Sequence, residues 1–428
     1  MKLKTFIFSI LLIMCSSFVF AATPSVSSNA AIAMDADSSV VLYNKNMNKK
    51  IYPASTTKIL TAILAIENLD LDKSVIVSET AIDIPWDSSS VYLKKGEAIS
   101  IKDLLYCLLL NSGNDAANVL AEAVSKDIKS FVNLMNQKVK EIGCTNTHFN
   151  NAHGYSDDNH YTTALDMAKI FKYCIQNETF VEIISTKSYI VDKTNKTKEP
   201  RYLYNTNRLI LQKEDSIYAR YYKYCIGGKT GFTDEAGRTL ITFAKKGDET
   251  VIVAVFGAST SGTQDVRYTD AINLFEYSFN NFNKKTIAEA VNYKFNYINT
   301  NKKLNYSIGL KKDLTILSNT NSNHDLSYVI NIDETNLKDL TEDSFKEVTA
   351  GTITFTFKDD QGNTHEAVQD LYLTGLQKYT TVSHTSVLTI ILVAIIVLIL
   401  IAILLISLKN RKKIIIAKKS RKNRRTIK

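Results

Sequence analysis

From Val387 to Leu408 the chain runs for 22 residues without a charge, and only Thr389 and Ser407 within it are polar. A helix of that length covers the ~30 Å hydrocarbon core of a bilayer, so the run reads as a transmembrane helix over 387–408. The segment after it, 409–428, holds eleven Lys or Arg and no acid. Positive charge on one flank places that tail in the cytoplasm and the preceding body outside. At the other end Lys2 and Lys4 precede an apolar run from Phe6 to Phe20, with Val19 and Ala21 as small residues before Ala22. That is the pattern of a signal peptide over 1–21. Cys15 follows Met14 rather than a small residue and belongs to its apolar core.

The formal charge of +9 has to be divided among these parts. Without the eleven positive charges of the tail and the two of Lys2 and Lys4, the region 22–408 carries −4. The exported body is mildly acidic, so the basic tail reads as topology and attraction to anionic lipid, not as a nucleic-acid surface. Cys107, Cys144, Cys174 and Cys225 remain, none of them in a Cys-x-x-Cys pair. Zinc-ribbon and thioredoxin-like chemistry is therefore not expected. Four exported cysteines allow two disulfides, but a body of this length buries a full core without them.

Downstream of the signal, "AAIAMDADSSVVLYNKN" shows two apolar runs around Asp35–Ser38, the pattern of a strand hairpin. A helix from about Thr56 follows, apolar nearly all round and so buried. "IKDLLYCLLL" from Ile101 and "AANVLAEAV" predict two more helices, separated by "NSGND". In "GGKTGFTDEAGRTLITFAKKGDETVIVAVFG", turn signals at Gly237 and at Lys246–Glu249 separate at least three antiparallel strands. The expectation is one α+β domain over 24–280, an antiparallel sheet packed with helices and drawing strands from both sequence ends. Over 284–376 the composition changes, and Ile353, Phe355 and Phe357 alternate with Thr352, Thr354 and Thr356, predicting a separate small β domain.

Three short strings carry the chemistry. Ser55 and Lys58 in "ASTTK" are one helical step apart and emerge on one side. Alone, a Ser before an apolar run is also an ordinary helix N-cap. The edge of a buried helix, however, desolvates a lysine and disfavours its charged form, which makes it a base. Ser112 and Asn114 in "SGN" sit between two helices, and Lys229, Thr230 and Gly231 form "KTG" at the expected start of a strand, where glycine lets backbone approach a ligand. The order Ser-x-x-Lys, Ser-x-Asn, Lys-Thr-Gly at separations of 57 and 117 residues is a strong joint signal.

With the flanking text "SGNDAANVLAE", "HGYSDDNHYTTALDMA" and "KTGFTDEAG", the chain resembles the D-alanyl-D-alanine carboxypeptidases among the low-molecular-mass penicillin-binding proteins. The resemblance implies a penicillin-binding, β-lactamase-like transpeptidase domain that trims the terminal D-alanine from peptidoglycan stem pentapeptides and is acylated by β-lactams, without cofactor or metal. It implies Ser55 as nucleophile, Lys58 as base and Ser112 as proton relay. Asn114 would orient Lys58 and hold a substrate amide. Lys229 and Thr230 would bind the terminal carboxylate, with Gly231 beside them, and the N–H groups of Ser55 and Phe232 would form the oxyanion hole. Several family members have histidine where this chain has Phe232.

His148, His153 and His160 with Asp157 and Asp158 match no zinc spacing. Arg238 and Arg267 are expected near the site but receive no role from the sequence. A class A β-lactamase would carry Ser-Asp-Asn and a deacylating glutamate, whereas no Glu-x-x-Leu-Asn string lies between Asn114 and Lys229. A non-catalytic peptidoglycan-recognition protein is the reading from another class. The complete set of reactive residues weighs against it.

Overall fold

The computed structural model describes residues 23–261, 264–299, 304–319, 325–337, 348–358, 364–378, 391–406 and 409. The segment 1–21 and nearly all of the tail 409–428 lie outside the described residues.

The first strands, β1 (Ala30–Asp35) and β2 (Val41–Lys45), form the expected hairpin. A 3₁₀ turn at Ala54–Thr57 runs straight into α1 (Lys58–Asn68), whose residues from Lys58 to Ala65 are all buried. Its apolar residues surround the axis, and each fully buried Ile or Leu contributes roughly 1.5–3 kcal/mol. The short strands β3 (Ser74–Ile76) and β4 (Ala98–Ser100) pair before α2 (Ile101–Leu109), and Ser100 caps that helix by accepting from Asp103 N. After the Asn111–Gly113 turn come α3 (Asn114–Ser125), α4 (Ile128–Glu141), α5 (Ala164–Cys174) and α6 (Glu178–Ser185). Asp127, Thr163 and Asn177 cap the last three through their side-chain oxygens. A two-stranded ribbon, β5 (Ser188–Val191) and β6 (Arg201–Tyr204), leads to β7 (Cys225–Thr233), β8 (Gly237–Lys246) and β9 (Glu249–Ala258), and then to α7 (Val266–Asn281).

The principal sheet has the order β2-β1-β9-β8-β7, so the first strands insert beside the last and β7 is an edge. All of its pairings are antiparallel. Ile32, Met34, Ile241, Phe243 and Ile252 face one core with α1, α2 and α5. The alternate residues Ala31, Ala33, Val253 and Val255 are equally buried and point to the other side, where α7 packs on β8 and β9. The architecture is α+β, with helices on an antiparallel sheet. One expectation needs correcting: Lys-Thr-Gly occupies the fifth to seventh positions of the nine-residue β7, not its start. Cys225–Gly228 are extended as well and already belong to that strand.

Two compact units divide the chain. The first takes in Met1–Asn292, Lys311–Ile332 and Thr352–Asp370, and includes an antiparallel pair between Asn283–Ala288 and Leu314–Ser318. The second takes in Tyr293–Leu310, Asp333–Gly351 and Leu371–Lys428, and is β-rich: Lys294–Asn299 pairs with Leu304–Gly309, which pairs in turn with residues 372–378. The alternation read in Thr349–Lys358 is realised, since Ile353, Phe355 and Phe357 are buried while the threonines between them are half-exposed. The sequence also predicts a turn over Asp359–Asn363, which lies outside the described residues.

Residues 391–406 are helical, apolar and exposed. Among the described residues no helix is long and apolar enough to cross a membrane, and 387–390 and 407–408 of the expected span lie outside them. Cys107, Cys144, Cys174 and Cys225 are all free thiols, the first three buried.

Candidate active site

The three strings converge on one cleft of about 900 Å³. Ser55 stands in the 3₁₀ turn ahead of α1, held against β7 on one side and the loop 151–156 on the other. Two glycines make that approach possible. A Cβ at Gly231 would come 2.9 Å from Ser55 N and 2.5 Å from Thr239 Oγ1. Gly154 has φ +89°, and a Cβ there would come 1.8 Å from the carbonyl oxygen of Ala54, itself in the left-handed region at φ +49°.

Lys58 is wholly buried, and its Nζ donates to Ser55 Oγ at 2.9 Å, Asn114 Oδ1 at 2.7 Å and the His153 carbonyl at 2.6 Å. These three partners are not equivalent. Carbonyl oxygens can only accept, whereas a hydroxyl can also donate. When Lys58 loses a proton, its two remaining N–H bonds stay on Asn114 and His153, and its lone pair is left facing Ser55. Loss of that proton is made easier here: burial lowers the Lys58 pKa well below its usual value, the nearby Lys229 cation lowers it further, and Asp115 opposes both.

The loop that carries Ser112 is tied down by the carboxylate of Asp115, which accepts from the N–H groups of Val91 and Leu93 and from Ser90 Oγ. Ser112 itself adopts φ +63°, a conformation that costs a non-glycine residue about 1–3 kcal/mol and that surrounding structure must impose. Its hydroxyl accepts from Lys229 Nζ at 3.0 Å. Lys229 is also wholly buried, with its pKa lowered to about 7 by burial and then by Arg267. Thr230 donates to Thr206 Oγ1 at 2.6 Å. All eight residues singled out in the motifs therefore belong to one neighbourhood, and Ser55, Ser112, Asn114, Thr230, Gly231 and Phe232 line the cleft directly.

Several neighbours were not legible in the motifs. The His153 carbonyl is a backbone group, and no residue type announces it. Thr206 comes from the stretch before β7. Arg267, at the start of α7, donates to the carbonyls of Gly231 and Thr239 at 3.3 Å and pairs with Asp265 at 2.9 Å. Its Nε and Asp265 Oδ1 are buried with no hydrogen-bond partner among the described residues. The histidines serve the scaffold. His160 Nδ1 accepts from Asn150 N at 3.0 Å, which puts the ring proton on Nε2, facing Thr57 Oγ1 at 2.8 Å. Burial holds both His153 and His160 neutral, with pKa values lowered to about 3. Among the described residues no group of His, Cys, Asp and Glu side chains is placed to hold a metal ion.

In chemical terms the cleft offers a hydroxyl beside an amine whose pKa is lowered, and a second hydroxyl beside a lysine whose pKa is lowered to about 7. That is the equipment for a covalent acyl transfer.

Comparison with known proteins agrees. A family model described as D-alanyl-D-alanine carboxypeptidase matches residues 18–260. The chain is 36% identical over 259 residues to the D-alanyl-D-alanine carboxypeptidase DacF of Bacillus subtilis, covering 59% of this chain and 62% of that one. It is 33% identical over 269 residues to a D-alanyl-D-alanine carboxypeptidase of Streptomyces, covering 60% of this chain and 88% of that one. The match thus spans under two thirds of the Bacillus relative and most of the Streptomyces one. Among solved structures, a D-alanyl-D-alanine carboxypeptidase from Mycobacterium tuberculosis superposes with a TM-score of 0.55 at 28% identity, over 61% of this chain and 95% of that one. A variant of the Streptomyces K15 DD-transpeptidase gives 0.55 at 31% identity, over 60% of this chain and all of that one.

Proposed function

The chain belongs to the D-alanyl-D-alanine carboxypeptidase family, and from that membership we propose that it is a serine enzyme releasing the terminal D-alanine of peptidoglycan stem pentapeptides. The observation that carries the reading is the 2.9 Å contact between Lys58 Nζ and Ser55 Oγ, in a buried setting that lowers the pKa of the amine.

In this reading Lys58 takes the Ser55 proton as Oγ bonds to the carbonyl carbon of the penultimate D-alanine. Charge on the carbonyl oxygen is met by the N–H groups of Ser55 and Phe232, fixed donors that need no reorganisation. The C–N bond then breaks, and the departing amine receives its proton through Ser112. The terminal carboxylate lies at Lys229 and Thr230. A lysine with its pKa near 7 is only partly charged in the free enzyme. An anionic substrate draws it back to the cationic form, so the positive charge arrives together with the group that needs it. Water next attacks the ester carbonyl while Lys58 serves again as base, Ser55 regains its proton, and the shortened peptide leaves. A β-lactam would acylate Ser55 by the same first step, its ring C–N bond breaking instead.

The placement is likewise our proposal: a signal segment over 1–21, a membrane span over 387–408, a cytoplasmic tail, and the catalytic body facing the wall. The uncharged run and the basic flank support it.

The test is D-alanine release from a stem pentapeptide ending in D-Ala-D-Ala, using the full chain in detergent and its Ser55→Ala variant. Release by the wild type alone is expected. No release by either folded protein would favour a recognition module.

A further inference from the structure

The ring of Phe232 lines the cleft without a part in the reaction above. It is 55% exposed, although the cleft around it is lined by polar side chains such as Tyr155, Ser156, Thr233 and Glu235. Its cross-strand partner is Arg238, whose guanidinium carbon lies 5.4 Å from the ring centroid. Arg238 also pairs with Asp265 at 3.4 Å, Asp265 pairs with Arg267 at 2.9 Å, and Arg267 donates to the carbonyl of Gly231, one residue before the ring. The connection therefore starts and ends on β7. A cation against an aromatic face orders the ring even at a partly exposed site.

The strand also gives the ring a direction relative to substrate. With the terminal carboxylate at Thr230 and the scissile carbonyl at the N–H of Phe232, a substrate extends along β7 towards Thr233–Glu235. What lies beside and beyond Phe232 is then its acyl portion, away from the leaving alanine. We propose that Phe232 is a specificity-determining residue whose ring, held by Arg238, forms an apolar platform for the acyl side chain of peptides and β-lactams. The inference rests on the carboxypeptidase reading and adds a preference to it: an acyl group with an apolar or aromatic surface is taken faster than a bare one.

The experiment compares Ser55 acylation of the full chain by two penicillins, one with a phenylacetyl side chain and the unacylated penicillin nucleus. In both, the Ser55 oxygen bonds to the lactam carbonyl carbon, the ring C–N bond breaks, and the serine proton passes to the ring nitrogen. The readout is the ratio of the two second-order rates within each variant, which is independent of the fraction of active protein. Loss of one aromatic contact changes such a ratio by roughly threefold to tenfold. Phe232→Ala is expected to lower the ratio by that amount, Phe232→Tyr to keep it, and Arg238→Gln to lower it part of the way. A parallel fall in both rates, or an unchanged ratio in Phe232→Ala, would overturn the platform. Failure of either penicillin to acylate the wild type would count instead against the enzyme reading on which the platform depends.

Discussion

The backbone of Gly154 rests so closely on Ala54 that a single methyl group would meet the Ala54 carbonyl oxygen at 1.8 Å. One contact thereby joins the turn carrying Ser55 to the loop whose His153 carbonyl holds Lys58. Gly154→Ala must both enter a left-handed conformation and push backbone from backbone. The expected cost is about 2–4 kcal/mol of stability. Penicillin acylation should fall more steeply than the folded fraction. Thermal unfolding and acylation measured on the same sample separate the two effects, and a variant with normal values of both would show that this contact is unimportant.

Lys58→Arg tests whether a base is needed. Arginine keeps the charge and the donors but does not release a proton at any pH the protein survives. Acylation is expected to drop by roughly 10²–10⁴-fold, the range a positioned base supplies. Near-normal acylation would remove Lys58 from the role of base.

On the proposed mechanism, the two buried lysines should give kcat/KM a bell-shaped pH profile. Its rising limb is expected to mark deprotonation of Lys58, and its falling limb, near pH 7, loss of the Lys229 cation proposed to receive the carboxylate. Arg267 pushes the Lys229 pKa down. In Arg267→Gln the falling limb should therefore move to higher pH, whatever happens to the maximum. A limb that stays in place would mean that it reports another group.

Stability follows the same linkage. Unfolded Lys229 titrates near its ordinary value of 10.5 and the folded form near 7, so between these pH values the unfolded chain binds the extra proton. Stability contributed by this site therefore rises with pH across that window and is flat below it. Lys229→Met should flatten the rise between pH 7 and 10 in denaturant titrations. An unchanged slope would place the Lys229 pKa much closer to normal.

These effects also mark how far the sequence could be read. The five-stranded sheet, the buried helix behind Ser55 and the turn at Ser112 follow from periodicity and punctuation, which act locally. The convergence of Ser55, Ser112 and Lys229 follows from the joint spacing of three strings. The backbone carbonyl of His153 has no residue signature, because every residue carries one. Arg267 lies 38 positions after Lys229 and reaches Gly231 only because α7 packs on the sheet. Lys-Thr-Gly lies within β7 rather than at its start because the strand begins at Cys225, ahead of paired glycines that carry no strand propensity yet permit close packing: a Cβ at Gly228 would meet the Ile241 carbonyl at 2.3 Å.

If 387–408 spans the membrane, high salt will not strip the full chain from membranes, whereas a variant lacking 387–428 will fractionate with the soluble material. Salt alone releasing the full chain would leave only the basic tail as its attachment.

The position of β7 at the sheet margin has a further consequence. An open edge presents unpaired N–H and carbonyl groups to any extended chain, including another copy of the same protein. Ser55, Lys58 and Lys229 are concentrated beside that margin, so under the proposed function the edge an intruding strand would approach is the one an extended peptide would approach to be cut. On that proposal vulnerability to aggregation and access to substrate share one surface, and a bound peptide would protect it by completing the sheet.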